Sequence, residues 1–411
     1  MIKPQTLKGF RDFLPKDALK RQSVIEKIIA TFERFGFDPL ETPALEYAET
    51  LLGKYGDEAD KLLYIFKDNG GRNVGLRYDQ TVPASRVVAQ YQQQLPNPFK
   101  RYQIQPVWRA ENTQKGRFRE FLQCDADIFG TESLFADAEI IVLTGKALQA
   151  LGINAYKILI NDRQLFNKII EKGIIKDENQ LPTILRSLDK IQKIGERGVM
   201  NELQEKGFSP DVSVAILQNA KAMRENDRLL KIIEACNNMG EEKLLFSPNL
   251  ARGLDYYTST IFEVEIEGYE SGSVCGGGRY DHLIGQFTGT DVPAVGFAFG
   301  FDRLMEALDQ LNLLPAKSTA TRVLVTVFSG NLFSASLSLT SQLRNKGINT
   351  EVSLETIKLD KQLKYADRKG IPYVIIQGPE EIKKGVVKLK DMKSQTQEEM
   401  TVDAVIQKLK T

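Results

Sequence analysis

Histidine is almost missing from this chain: His282 is the only one in 411 residues. It falls on a stretch expected to be an exposed turn, so imidazole acid–base catalysis is excluded as the chemistry of the protein. Cysteine is equally scarce. Cys124, Cys236 and Cys275 are far apart, form no CxxC pair and have no histidine nearby except His282, which excludes a disulfide framework and protein-bound zinc. Neither charge dominates, with 55 Lys and Arg against 54 Asp and Glu, so no bulk field advertises nucleic acid, membrane or an acidic ligand. Any nucleic-acid surface must be local. No apolar run is long enough to span a bilayer, and the opening MIKPQTLKGFRDFLP lacks the apolar core of a signal peptide. These absences predict a soluble cytoplasmic protein with no membrane partner.

What is present exceeds one core. A single hydrophobic core rarely supports more than about 250–300 residues, so two or more domains are expected. Ile25, Ile28, Ile29, Phe32 and Phe35 recur at helical spacing after Asp17, and Gly36 ends the run. From Leu40 to Gly130 the pattern becomes short strands, clearest at Leu76–Thr81, Tyr102–Arg109 and Phe121–Phe129, which imply a mainly antiparallel sheet. Residues 162–245 are rich in Lys, Glu, Ile and Leu at helical spacing and read as an inserted helical module. Strand character returns in TSTIFEVEIEG, GSVCGGGRYDHLIGQF and VGFAFGFDRLMEALDQL, the last turning into an amphipathic helix. Residues 315–320 read as a linker. Beyond it strands alternate with helices, predicting a small α/β domain over residues 321–411. From Arg322 onward 15 Lys and Arg stand against 10 Asp and Glu, a net of +5, so positive charge is concentrated where RNA phosphates would be met.

Period-two alternation places Gln103, Gln105, Arg109 and Glu111 on one strand face, and Phe121, Gln123, Asp125 and Asp127 on one face of the returning strand. Between them runs Asn112 to Arg119, whose Lys115, Arg117, Arg119 and Gly116 suit a loop closing over phosphates. A planar guanidinium binds two phosphate oxygens at once, and Arg109 and Arg252 are placed to clamp one phosphate. Arg117, Arg119 and Arg303 would hold distal phosphates or cover a base, and Phe121 offers a stacking face. Leu76–Thr81, read as a strand, puts Arg77, Asp79 and Thr81 on one face, where a carboxylate and hydroxyl would take the α-ammonium of an amino acid with Gln123 as third partner. Asp127 would accept a hydrogen bond from a polar substrate side chain, with the phenols of Tyr256 and Tyr257 nearby. Gly276, Gly277 and Gly278 would let backbone approach a ligand.

Together these stretches resemble the histidyl-tRNA synthetase family of class II aminoacyl-tRNA synthetases, over nearly the whole chain. LETPALE around Pro43 looks like motif 1, VWRAE through FLQCDADIFG like motif 2, and VGFAFGFDRL like motif 3. LRYDQTVPASR, LARGLDYYTSTIFEV and SVCGGGRYD narrow the likeness to the histidine enzymes. The sequence departs at Trp108, where Phe is common, and at Asp79 and Asp127, where many bacterial members carry Glu.

The resemblance implies an α+β catalytic domain in two parts, residues 1–161 and 246–314, interrupted by the helical insertion 162–245 and followed by an anticodon-binding domain. It further implies that Arg109 and Arg252 contact the ATP α-phosphate and reach the histidine as well. Arg117 and Arg303 would serve the γ-phosphate, Phe121 and Arg303 would sandwich adenine, and Glu111 would read its edge. Asp79, Thr81 and Gln123 would bind the α-ammonium of L-histidine, Asp127 and Tyr257 its two ring nitrogens, and Tyr256 would line the pocket. The partners implied are tRNA(His), L-histidine, ATP with Mg2+ as co-substrate, no metal held by the protein, and a second copy of the chain joined through motif 1 as a homodimer. Two other readings keep the fold: the synthetase-like subunit that assists ATP phosphoribosyltransferase, which generally lacks the anticodon domain and an intact RGLDYY segment, and a tRNA-sensing module with decayed catalytic residues.

Overall fold

A computed structural model describes residues 2–53, 62–112, 117–252, 256–316 and 318–410. The chain forms two compact units, one from Val24 to Leu314 with the residues up to Asp12, the other from Pro315 onward with Phe13–Ser23.

In the first unit, β1 (Asp38–Pro39), β5 (Phe99–Trp108), β6 (Glu120–Phe129), β7 (Tyr156–Asp162), β8 (Leu244–Phe246), β9 (Thr260–Ile266), β10 (Cys275–Arg279) and β11 (Ala294–Gly300) build one sheet. Its order is β1-β5-β6-β11-β10-β9-β7-β8, antiparallel throughout except for the parallel pairs at its two edges. The parallel pairing of β7 with β8 requires a long crossover. The helices between Lys168 and Asn238 supply it. Two of them start as their sequences dictate: Ser209 accepts from Val212 N–H ahead of Pro210, and Asn226 accepts from Leu229 N–H.

Strand alternation decides what each face of the sheet carries. On β6, Cys124, Ala126 and Ile128 turn into the main core with Phe297 and Phe299 of β11 and Phe262 and Val264 of β9. Against that face pack Val24, Ile28 and Phe32 of the helix Pro15–Arg34, the apolar side of Leu134–Ala150, and Leu304, Ala307 and Leu308 of Phe301–Gln310. Burial of each large side chain here is worth ~1.5–3 kcal/mol. The odd-numbered β6 residues face the other way and carry the polar groups considered below.

The strand expected over Leu76–Thr81 ends early. A small antiparallel sheet of β2 (Leu45–Tyr47), β3 (Ile65–Lys67) and β4 (Asn73–Leu76) stops at Leu76, and a helix runs from Thr81 to Tyr91. Asp79 Oδ1 accepts from Val82 N–H at 3.3 Å and Pro83 sits in the first turn, where its missing N–H costs nothing. Asp79 and Thr81 are therefore presented at a helix start, and Arg77 leaves their company. It is buried, donating to the carbonyls of Thr42, Pro43 and Pro106 and to Gln105 Oε1, so its role is to hold loops together.

The second unit has a mixed five-stranded sheet, ordered β13 (Thr350–Val352), β12 (Val323–Val325), β14 (Tyr373–Ile376), β15 (Val387–Asp391), β16 (Gln397–Met400). The first three are parallel, the last two antiparallel additions. Val323, Val325, Ile375 and Leu389 form its core with Leu339, Leu343, Val405 and Leu409 of its helices. The α/β texture expected beyond residue 321 is borne out.

One buried ion pair fixes the far end of β10. Arg279 Nη2 lies 2.5 Å from Asp137 Oδ2, both residues nearly inaccessible, and Arg279 also donates to Thr131 O and Asp281 Oδ1. Removing one partner of a buried pair leaves an uncompensated charge. Arg279→Met is expected to cost roughly 3–5 kcal/mol in urea unfolding of this unit. A loss below about 1 kcal/mol would mean that Arg228, already paired with Asp137 at 3.3 Å, compensates the carboxylate alone.

Candidate active site

The polar face of the sheet is hollow because its strands run out of side chain. Gly276 and Gly278 of β10 and Gly296, Ala298 and Gly300 of β11 lie between the polar row of β6 and Glu263 of β9, with Gln123 opposite Gly300, Asp127 opposite Gly296, and Gly276 opposite both Ala298 and Glu263. A Cβ at Gly296 would overlap the Asp127 carboxylate, and one at Gly276 the Arg252 guanidinium. The cavity left is about 530 Å³.

Twelve of the side chains singled out from the sequence line this one cavity: Asp79, Thr81, Arg109, Glu111, Arg117, Phe121, Gln123, Asp127, Arg252, Tyr256, Tyr257 and Arg303. Arg109 follows β5, its N–H bonded to Arg119 O at 2.9 Å. Its Nε donates to Tyr78 O, and its guanidinium lies 5.2 Å from the centre of the Phe121 ring. Arg252 takes the left-handed backbone conformation (φ 55°), strained for a residue with a Cβ, and its Nη1 is ion-paired with Glu263. Arg303 donates to Ser273 O. Burial, then the nearby positive charge of Arg117, lower the Arg303 pKa from its ordinary value, the signature of cations gathered with too little negative charge among them. Arg117 reaches Glu111 at 3.4 Å.

Carboxylates occupy the remaining wall. Asp79 is 4% exposed, and burial pushes its carboxyl up to about 7 despite the opposing pull of Arg109. Its Oδ2 and Gln123 Oε1 are buried with no hydrogen-bond partner among the described residues. Asp127 is held on both oxygens: Arg101 Nη2 lies 2.5 Å from Oδ2, and the Tyr280 hydroxyl donates to Oδ1. The rings of Tyr256 and Tyr257 meet at 4.5 Å, tilted by 49°, and place their hydroxyls 3.5 Å apart.

Other residues of the predicted loops and faces lie elsewhere. Gln103 and Gln105 turn toward Thr42 and Arg77, Arg119 donates to Glu111 O, and none of the three lines the cavity. Thr113, Gln114, Lys115 and Gly116 lie outside the described residues, as do Gly253, Leu254 and Asp255 of the RGLDYY segment. His282 is exposed and pairs with Asp291 away from the cavity. Sequence reasoning missed Glu263, Arg101 and Tyr280. Glu263 carried a signal, being with Glu265 one of two charges on the strand TIFEVEI; the other two are recognised only through strand register.

Guanidinium groups facing one hollow of an antiparallel sheet, with a separate mixed α/β unit in the same chain, define an aminoacyl-tRNA synthetase. Residues 9–304 match the family model described as histidyl-tRNA synthetase, and residues 322–411 that described as anticodon binding domain. The chain belongs to the histidyl-tRNA synthetase family. A protein of Cytophaga hutchinsonii named histidine–tRNA ligase is 39% identical over 100% of both chains, and one of Rhodopirellula baltica with the same name is 41% identical over 95% of this chain and 94% of its own. The crystal structure of histidyl-tRNA synthetase from Nostoc sp. PCC 7120 covers 100% of this chain and 99% of its own at TM-score 0.86 and 29% identity.

The Asp79 carboxyl gives a direct test of the electrostatics. In the ligand-free protein its 13C resonance, assigned by its loss in Asp79→Asn, is expected to titrate near pH 7. The unfolded value is about 3.9, so the folded state keeps a proton that the unfolded state has released, and Asp79 makes the free protein lose stability as pH rises from about 4 to 7. A midpoint below about 5 would mean that Arg109 compensates the buried charge fully.

Proposed function

We infer that the protein is a histidine–tRNA ligase working in two steps. The histidine carboxylate attacks the α-phosphorus of MgATP, the bond to the β-phosphate bridging oxygen breaks, and histidyl-adenylate and pyrophosphate form. A ribose hydroxyl at the 3′ end of tRNA(His) then attacks the acyl carbon and AMP leaves. The observation that carries this reading is the meeting of Arg109, Arg117, Arg252 and Arg303, from three separate stretches, with Asp79 and Asp127 in one cavity.

Arg109 and Arg252 take the α-phosphate oxygens on which charge builds in the first step, and Arg252 also steadies the attacking carboxylate. Preorganised donors of this kind act by charge stabilisation without covalent participation. Glu263 holds the Arg252 guanidinium while Gly276 leaves it room. Arg117 and Arg303 serve the γ-phosphate, whose charge relieves their mutual repulsion. Phe121 and Arg303 enclose adenine, and Glu111 accepts from its amino group. Asp79, Thr81 and Gln123 receive the α-ammonium, for which Asp79 Oδ2 and Gln123 Oε1 are open acceptors. Asp127 and Tyr257 address the two ring nitrogens beside Tyr256. A site that hydrogen-bonds both nitrogens rejects amino acids lacking them by roughly 10⁴ or more. The catalytic domain comprises residues 1–161 and 246–314, the insertion 162–245, and the anticodon domain 321–411 after the linker 315–320. Free cysteines and the ligase reaction fit the cytoplasm.

The second copy attaches at motif 1. Leu45, Tyr47 and Phe66 share one face of the small sheet of β2, β3 and β4, and with Leu52 and Ile65 nearby in sequence they are 37–54% exposed, apolar surface that a second copy would cover. We expect a dimer in analytical ultracentrifugation, and Tyr47→Glu with Phe66→Glu to shift it to monomer; a wild type that sediments as monomer at micromolar concentration removes this surface from consideration.

Arg252→Ala is expected to lower histidine-dependent ATP–pyrophosphate exchange at least about a hundredfold, with a smaller loss of histidine binding by calorimetry. Near-normal exchange in that variant would falsify the assignment of Arg252 to the α-phosphate. Lysine or arginine replacing histidine as the exchanging amino acid would overturn the substrate.

A further inference from the structure

We propose that Arg101 is a positioning residue for substrate selection, its buried guanidinium holding Asp127 as an ionised hydrogen-bond acceptor aimed at the imidazole of histidine. The proposal rests on Asp127 binding that ring. Arg101 sits on β5 directly across from Asp127 on β6, and both side chains are all but inaccessible. Its Nη2 is 2.5 Å from Asp127 Oδ2, and its Nη1 donates to Gln103 Oε1 at 3.4 Å. The other oxygen of Asp127 accepts from Tyr280, which the chain delivers from the end of β10 just after the anchored Arg279. Asp127 is thus fixed in orientation from two strands, with Oδ1 over the side-chain-free Gly296 in the wall of the cavity that both residues line.

The charges around Arg101 make it more than a clamp. Asp125 lies two residues before Asp127 on the same strand face, and Asp79 comes from the start of the helix Thr81–Tyr91; both feel the field of Arg101, and both also feel Arg109. Tyr280 and Gln103 complete the surroundings as neutral groups. Three buried carboxylates therefore face two guanidiniums, a formal excess of one negative charge, and the α-ammonium of an amino acid supplies the missing positive charge. Without Arg101 the count becomes three against one. Burial then favours protonation of a carboxyl. A protonated Asp127 donates where it should accept, so the ring N–H loses its partner and the pocket its selectivity. Arg101 adds no atom to the cavity lining, and it acts on histidine only through Asp127.

The test uses the full-length enzyme in pyrophosphate exchange between about pH 7 and 8.5, where free histidine keeps a neutral ring and a charged ammonium. Arg101→Gln is expected to raise the KM for histidine on the order of 100-fold while the KM for ATP stays within about threefold. That elevated KM should fall at least about tenfold with rising pH as Asp127 regains its charge, whereas the wild-type value should fall only about twofold as Asp79, near pH 7 in the free protein, finishes ionising. Arg101→Lys, which keeps the charge, should restore the histidine KM to within about tenfold of wild type. A purely structural residue would move both KM values or only the melting temperature. A histidine KM for Arg101→Gln within about threefold of wild type, or an elevated KM with no pH dependence, overturns the proposal. Should the Gln variant fail to melt as a native protein, the Lys variant decides alone: a hundredfold loss in a natively melting Lys enzyme also overturns it. Asp127→Asn separates the two layers of inference. If it weakens histidine and Arg101→Gln does not, only the role of Arg101 falls; if Asp127→Asn leaves the histidine KM unchanged, the imidazole site is misplaced and the proposal falls with it.

Discussion

Buried charge is the constraint on which the site depends. An isolated carboxylate or guanidinium taken out of water is costly, and the sheet face opposite the core holds several of each. They are tolerable because they are set against one another across strands: Arg101 against Asp127, Arg252 against Glu263, Arg109 within the field of Asp79. Such pairing needs side chains from different strands brought to fixed register, and an antiparallel sheet supplies it. The fold is therefore more than a platform here, since the register of β5 on β6 sets Arg101 against Asp127 and that of β10 on β9 sets the bare Gly276 beside Glu263, where Arg252 enters.

The same register creates the space. A face of glycine and alanine on two adjacent central strands would be a weakness in most sheets, because such residues pack nothing and lose much entropy on ordering. Here their absent side chains are the volume into which Arg252 and Asp127 project. Stability comes from the opposite face, where Phe297 and Phe299 alternate with those small residues and fill the core under the helices. One strand, β11, thus serves both purposes through nothing more than the alternation of its side chains.

That alternation is also why so much was legible in the sequence. Phe121, Gln123 and Asp127 were assigned to one face of β6 from spacing alone, and they share the cavity. Tyr256, Tyr257 and Arg303 were named from side-chain chemistry, with no local periodicity to place them, and the family resemblance sharpened their roles. The strand expected at Leu76–Thr81 failed because the polar alternation of Arg77, Asp79 and Thr81 was weighed above the helix-start signal of Asp79 and Pro83. Arg119 was expected among phosphates because it stands in a basic loop, yet its side chain turns back to Glu111 O. Arg101 and Tyr280 could not be read at all. Their partner Asp127 is 26 residues from one and 153 from the other, and only strand order brings all three together.

The acceptors left open in the free protein explain how such a site is selective without being rigidly complete. Asp79 Oδ2 and Gln123 Oε1 are buried and unpartnered among the described residues, a state that raises the free energy of the ligand-free protein. Burial has already moved Asp79 to the edge of neutrality near pH 7, so a small change in surroundings suffices to fix its charge. An arriving ammonium provides that change: it favours the carboxylate, gains a charge-assisted hydrogen bond, and satisfies the open acceptors at once. A neutral ligand of the same size would leave the cost in place. Asp127 differs in geometry: burial raises its pKa too, but Arg101 and Tyr280 oppose that shift and fix its orientation before the ligand comes. The pocket thus meets the two ends of one amino acid differently, adjustable in charge toward the ammonium and preset in orientation toward the ring, and a ligand must match both to displace the water that either end would otherwise keep.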